Sequence, residues 1–277
     1  MITSKANPQI KRAKTLLRRS GREEHRQFLV EGVRLAEEAV CSGAVEVLYY
    51  SQKLVDNERG RRLLQAAREA RVPIVECSEH VIAEISDTVT SQGVVAVVSK
   101  PDWECRLSGL VVVADGIQDP GNLGTLFRTA LAAGASGLIV TPGCVDPYNP
   151  KAVRASMGGV LKLPHWQMSI SEAVTALRRG GMQIVTADLV DSQDYFSVRF
   201  PANVALVIGS EAHGPSKELR EAADLKVRIP LLGPIESLNA SVAAGILLYE
   251  IARQQLAETR KSYHRQPERL DSGRPEL

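Results

Sequence analysis

Four apolar runs constrain this chain more than any other feature: LVVVAD from Leu110, GLIVTP from Gly137, MQIVTAD from Met182 and NVALVIG from Asn203. A strand that is apolar on both faces has to be covered on both, and helix-length stretches separate these runs. They therefore fit a parallel sheet flanked by helices. KVRIP from Lys226 adds a fifth strand, and helices are expected near 123–134, 151–157, 171–180, 216–222 and 239–256. A smaller alternation precedes these, with strands at FLVEG, VEVLYY, PIVEC and VVAVVS and helices near 32–42, 58–71 and 78–86. It too reads as an α/β unit with a largely parallel sheet. KPDWECRLSG (100–109) has no period and reads as a linker. The expected organisation is an α/β domain over 1–99, a linker over 100–109, a larger α/β domain over 110–258 and a polar, disordered tail over 259–277.

Composition removes several classes of function. No apolar run approaches the roughly 18 residues of a spanning helix, and MITSKANPQIKRAK lacks the apolar core of a secretory signal, so the expected location is the cytoplasm with no membrane partner. Cys41, Cys77, Cys105 and Cys144 lie far apart and away from the five histidines, which signals neither a disulfide framework nor a metal site. The net charge of +2 is unevenly spread: Met1 to Arg34 holds nine Lys and Arg against three Glu. Asn7-Pro8 opens a helix over Gln9–Leu17, on which Lys11, Lys14 and Arg18 form one stripe. Such a stripe is either a solvated face or a track for phosphates.

Ligands of open α/β sheets bind beyond the carboxyl ends of the strands, and three loops there are unusual. In DGIQDPGNLGTLFR the glycine spacing is not that of a dinucleotide fingerprint, and no ribose-binding carboxylate follows about twenty residues later, which disfavours a nucleotide-dependent oxidoreductase. That loop offers Asn122, and Arg128 on a largely apolar helix, where it has to snorkel or pair. VIGSEAHGPSKEL offers Gly209 and Glu211. RIPLLGPIESLNASVAAGILLYE offers Ser237, Asn239 and Ser241 before an apolar helix, where Ser237 or Asn239 could equally be a helix cap.

Taken in order, N-x-G-x-x-x-R, G-S-E-A-x-G and I-P-x-x-G-x-x-x-S-L-N-x-S resemble the three motifs of the SpoU branch of the SPOUT RNA methyltransferases. VDPYNPKAVRASMGGVLKLP resembles the middle region of that family, and the segment from Ser4 to Ala39 resembles the ribosomal-protein-type α/β sandwich often joined to it. The resemblance implies S-adenosylmethionine-dependent methylation of a ribose 2′-hydroxyl in ribosomal or transfer RNA, a trefoil knot in the C-terminal domain and a homodimer formed through that domain. It also implies that Gly209, Ile229 and Leu238 contact the methyl donor, and that Arg128, Asn122, Glu211, Ser237 and Asn239 form the catalytic group. Lys11, Arg12, Lys14, Arg18 and Arg19 would then dock RNA. The family usually has Gly after the Glu of the second motif, where this chain has Ala212. Two rival readings are an RNA-binding protein that has lost activity on the same fold and a methyltransferase directed at a base.

Overall fold

The computed structural model describes residues 1–189 and 191–263, with the backbone alone over 259–263. In the first half, Asn7 caps α1 (Pro8–Thr15), accepting from the Gln9 amide. α2 (Arg19–His25), β1 (Gln27–Glu31), α3 (Val33–Ser42), β2 (Val45–Tyr50), α4 (Gln52–Val55), α5 (Glu58–Glu69), β3 (Ile74–Glu76), α6 (Glu79–Glu84) and β4 (Val94–Ser99) follow. The sheet order is β1-β4-β2-β3. Here the expectation of a largely parallel sheet needs correction. β4 runs antiparallel to both its neighbours, and only β2 and β3 pair in parallel. The physical reason is that VVAVVS is buried along almost its whole length whichever way it runs, so its pattern carries no direction.

The second half contains β5 (Leu110–Ala114), α7 (Pro120–Ala132), β6 (Gly137–Val140), α8 (Pro150–Ala155), α9 (Gly159–Lys162) and β7 (His165–Gln167). It continues with α10 (Ile170–Arg179), β8 (Gln183–Ala187), β9 (Gln193–Asp194), β10 (Val204–Ile208), α11 (Lys217–Ala222), β11 (Leu225–Arg228) and α12 (Ala240–Tyr263). Its sheet, β7-β6-β5-β10-β8-β11-β9, is parallel at every pairing. The five apolar runs are its central strands. β7 and β9, at the two edges, are too short to carry a period and were not expected from the sequence. β10 lies between β5 and β8, both earlier in the chain, so the order reverses there and the loops after β5 and β10 come side by side. No helix among the described residues is long and apolar enough to cross a membrane. The tail expected from 259 begins inside α12, which continues to Tyr263, and the rest of it lies outside the described residues.

The halves are not joined by a linker alone. One cluster of buried side chains runs from Phe28, Val30 and Ala96 of the first sheet into Leu110, Val112 and Phe127 of the second. Phe28 stacks on Tyr148 with ring centroids 4.7 Å apart, and Tyr148 and Phe127 both pack on the His165 ring. Beside this joint the Arg22 guanidinium meets Asp146 at 2.7 Å, with both side chains buried, and Arg22 also donates to the Leu16 and Leu17 carbonyls. Even the 100–109 segment is anchored, because Trp166 Nε1 donates to the Trp103 carbonyl at 3.0 Å.

Candidate active site

The adjacent carboxyl ends of β5 and β10 are tied together by Asp115, which ends the LVVVAD run and was not singled out in the sequence. Its buried carboxylate accepts from Thr141 Oγ1 at 2.6 Å and from the Ser216 amide at 2.6 Å, joining the ends of β5 and β6 to the loop after β10. That loop folds back on itself with no spare room. A Cβ on Gly209 would lie 2.0 Å from the Gly214 carbonyl carbon, so only glycine allows the backbone to close there. Arg220 of α11 bonds the His213 carbonyl at 2.8 Å and pairs with Asp188 at 2.7 Å, bracing the loop from below.

Three polar side chains from three separate loops meet above this floor. Asn239 caps α12: its Oδ1 accepts from the Ser241 and Val242 amides at 3.0 and 3.3 Å and from Ser241 Oγ at 2.6 Å. With that oxygen committed, Asn239 Nδ2 is left to donate, and it does so to Asn122 Oδ1 at 3.0 Å. Asn122 Nδ2 is in turn left to donate to the Glu211 carboxylate. The cap of α12 thus sets the direction of every bond in the relay. Asn122 itself is fixed in the first turn of α7, where the Asp119 side chain accepts from its amide at 2.9 Å.

Glu211 also lines a cavity of about 460 Å³, to which Gly209, Ile229, Ser237 and Leu238 contribute together with apolar walls from Ile208 and Leu247. This volume lies within the usual range for cofactor sites, and its lining joins apolar side chains and glycine backbone to charged groups, among them Asp188, Glu211, Arg220 and Arg228. The residue set fits S-adenosylmethionine, since Gly209 lines the cavity without a side chain and the apolar side chains of Ile208, Ile229, Leu238 and Leu247 flank it. All three positions expected to contact the donor border one cavity. Ala212 borders it as well, and its φ is not positive, so its methyl group costs no backbone strain there.

Arg128 snorkels, the first of the two outcomes expected for it on an apolar helix. It is exposed and forms no hydrogen bond or ion pair among the described residues, so it neither pairs nor joins the relay. The helix explains why: six residues separate it from Asn122, about 9 Å along the axis and about 240° around it, so the two do not share a face. Ser237 is exposed and unbonded at the cavity rim. In the basic segment, Lys14 and Lys5 hold the Glu84 carboxyl down to about 2, and Arg19 pairs with Glu23. Lys11, Arg12 and Arg18 form no ion pair among the described residues. Arg22, counted with that charge, is buried in the joint.

Comparison with known proteins agrees with this geometry. Residues 109–249 match the model of the SpoU rRNA Methylase family, and residues 7–96 match an MRM3-like substrate binding domain. An uncharacterized tRNA/rRNA methyltransferase of Synechocystis sp. is 34% identical, covering 92% of this chain and 94% of that protein. The 23S rRNA (guanosine(2553)-2′-O)-methyltransferase RlmP of Bacillus subtilis is 31% identical, covering 90% and 98%. The crystal structure of the SpoU methyltransferase AviRb from Streptomyces viridochromogenes with the cofactor AdoMet superposes with a TM-score of 0.81 at 33% identity, covering 91% and 99%. On these grounds the chain belongs to the SpoU rRNA methylase family.

Proposed function

We propose that the protein uses S-adenosylmethionine to methylate a ribose 2′-hydroxyl of ribosomal RNA. The observation that carries this reading is the relay from Asn239 through Asn122 to Glu211, which ends on the wall of the donor-sized cavity. When bound, the sulfonium of the donor supplies an electrophilic methyl group. The backbone around Gly209, Ile229 and Leu238 would hold the donor, and Glu211, oriented by Asn122, would face the ribose with Ser237 at the rim. Positioning the hydroxyl near attack distance contributes a large share of the rate. Arg128 is not the base, because an arginine is effectively never deprotonated in a protein. Its unpaired guanidinium instead grips the target phosphate and stabilises the oxyanion that develops as the hydroxyl proton passes to water, and the donor's sulfur would leave as the neutral thioether.

The reading extends to assembly and topology. Arg128 lies on a different face of α7 from Asn122, so it completes the active site of a second copy, in a homodimer. The exposed apolar stripe Val242, Tyr249 and Leu256 on α12 supports such a contact. The reading includes the expected trefoil knot in the path of the C-terminal domain. The return of β10 between two earlier strands and the closed turn at Gly209 are compatible with that path. The first 99 residues serve as the RNA-docking unit, with Lys11, Arg12 and Arg18 as its free cations. The match to a substrate-binding family over 7–96 supports this assignment.

Methyl transfer to ribosomal RNA from cells lacking the protein, followed with radiolabelled donor and mapping of 2′-O-methyl groups, tests the whole reading. Arg128→Ala is expected to lower turnover at least ~100-fold with donor affinity changed less than ~2-fold by calorimetry. Equal turnover in that variant would remove Arg128 from the mechanism.

A further inference from the structure

A second cavity, of about 510 Å³, opens where the two halves meet, and none of the relay residues lines it. Its walls come from Gly32 and Arg34 at the start of α3, Lys53 of α4, and Arg154 and Met157 at the end of α8. We propose that this crevice is the track for the RNA strand leading to the target nucleotide, with Met157 as the apolar contact for a base. The inference rests on the reading of the protein as an RNA methyltransferase.

Charge comes first. Arg34 and Lys53 are exposed and form no ion pair among the described residues, so two free cations face the crevice. α3 is ten residues long and begins at Val33; Gly32 supplies no side-chain cap, the Val33 amide is taken by Gln92 Oε1 at 2.9 Å, and the remaining first-turn amides leave a partial positive charge beside the two cations. One carboxylate also lines the crevice, that of Glu31. It is buried and already spent: Ser86 Oγ, Thr88 Oγ1 and the Asp87 amide all donate to it, and Arg154 lies 3.8 Å away. The other two cations are compensated, Arg154 by Asp87 at 2.7 Å and Arg59 by Glu37. What remains open toward solvent is Arg34 on α3 and Lys53 on α4, two free cations on separate elements of one crevice, which suits a polyanionic strand.

Position comes second. The turn Met157-Gly158-Gly159 lies between α3 and α7. A Cβ on Gly158 would stand 3.5 Å from the Glu38 side chain, and one on Gly159 would stand 3.2 Å from the Arg128 amide nitrogen. Met157 therefore stands on the turn that abuts the α7 backbone at Phe127 and Arg128, the latter being the residue assigned to the target phosphate. Met157 is 46% exposed and has φ +49°, a left-handed conformation that a long side chain occupies at a cost. Glycine would meet the backbone need better, so the thioether side chain is held open to solvent against local preference. A polarizable, unbranched side chain beside free cations is a suitable surface for an unstacked base.

The test uses the full-length protein and a fluorescently labelled oligouridine. Arg34→Glu with Lys53→Glu is expected to weaken oligouridine binding at least ~10-fold at ~0.1 M salt and to flatten the salt slope by about 1.4, the share of two phosphates on a single strand. Donor affinity by calorimetry is expected to stay within ~2-fold. Met157→Gly is expected to keep the salt slope and to keep or raise the melting temperature, while oligouridine affinity falls ~5-fold. Unchanged affinity and slope in the charge-reversed variant overturn the track. Lower affinity in Met157→Gly accompanied by a lower melting temperature makes Met157 a structural residue and overturns its contact with a base. Failure of the wild type to bind donor would instead refute the methyltransferase reading, and oligouridine binding would still decide the track.

Discussion

At the scale of single residues, the relay depends on which atom of each amide is free. Asn239→Asp keeps the cap of α12 but replaces a donor with an acceptor facing Asn122 Oδ1, which reverses the direction of the relay. Methyl transfer by this variant is expected to fall at least ~10-fold while thermal stability changes little, a result read from initial rates and a melting curve together. Elsewhere, burial depresses the His165 pKa from 6.5 to about 4, outweighing the hydrogen bond to the Leu163 carbonyl that opposes it. Since the folded value lies below the unfolded one, the unfolded chain binds that proton more tightly. The neutral ring costs nothing above about pH 6.5, and stability is lost as pH falls from there toward 4, by up to about 3 kcal/mol. Urea midpoints across that range check it, and His165→Phe is expected to flatten the dependence. Sequence alone exposed Asn122, Glu211 and Asn239 because polar side chains stand out beside apolar runs. Asp115 was missed because an acidic residue ending a strand looks like an ordinary turn residue, and only its two buried bonds distinguish it.

Among secondary-structure elements, α12 shows what a pattern reveals and what it hides. Ala244, Leu247, Leu248 and Ile251 bury one face against the molecule. Val242, Tyr249 and Leu256 recur every seven residues about 140° from that face, and remain exposed. Because apolar residues lie on both sides, the sequence reads simply as an apolar helix, and the division into inner and outer faces is visible only after folding. Tyr249→Glu with Leu256→Glu is expected to convert a dimer to a monomer in light scattering. Methyl transfer would be lost with the partner's Arg128, while donor binding persists. A variant that stays dimeric would place the contact elsewhere. The central strands of the large sheet were legible because β5, β6 and β10 are buried along their whole length and β8 is buried along its middle. The edge strands β7 and β9 were not, since two or three residues cannot express a period.

For the whole molecule, the decisive property is the core that crosses from the first sheet to the second. It predicts one cooperative unfolding transition rather than two. Trp103 and Trp166 both belong to the later part of the chain, so their fluorescence follows that part alone while far-ultraviolet circular dichroism follows everything. Coincident urea curves from the two probes are expected, and separated curves would show that the halves unfold independently. Arg22→Ala is expected to cost about 3–5 kcal/mol by leaving Asp146 buried and unpaired, and Arg22→Met with Asp146→Leu to recover much of that loss. The sequence placed a linker at 100–109 because that segment has no period. It could not show that Phe28 and Tyr148, 120 positions apart, would stack across the joint.

The same joint limits how such proteins can be recombined. A chimera that grafts the first hundred residues of a relative onto this catalytic half would bring a foreign surface to Tyr148, Asp146 and Arg154. Retargeting the enzyme to another RNA by domain exchange therefore requires Phe28, Arg22, Glu31 and Asp87 to be transplanted or redesigned with it. Target choice in this chain is inherited with the interior of the protein as well as with its surface.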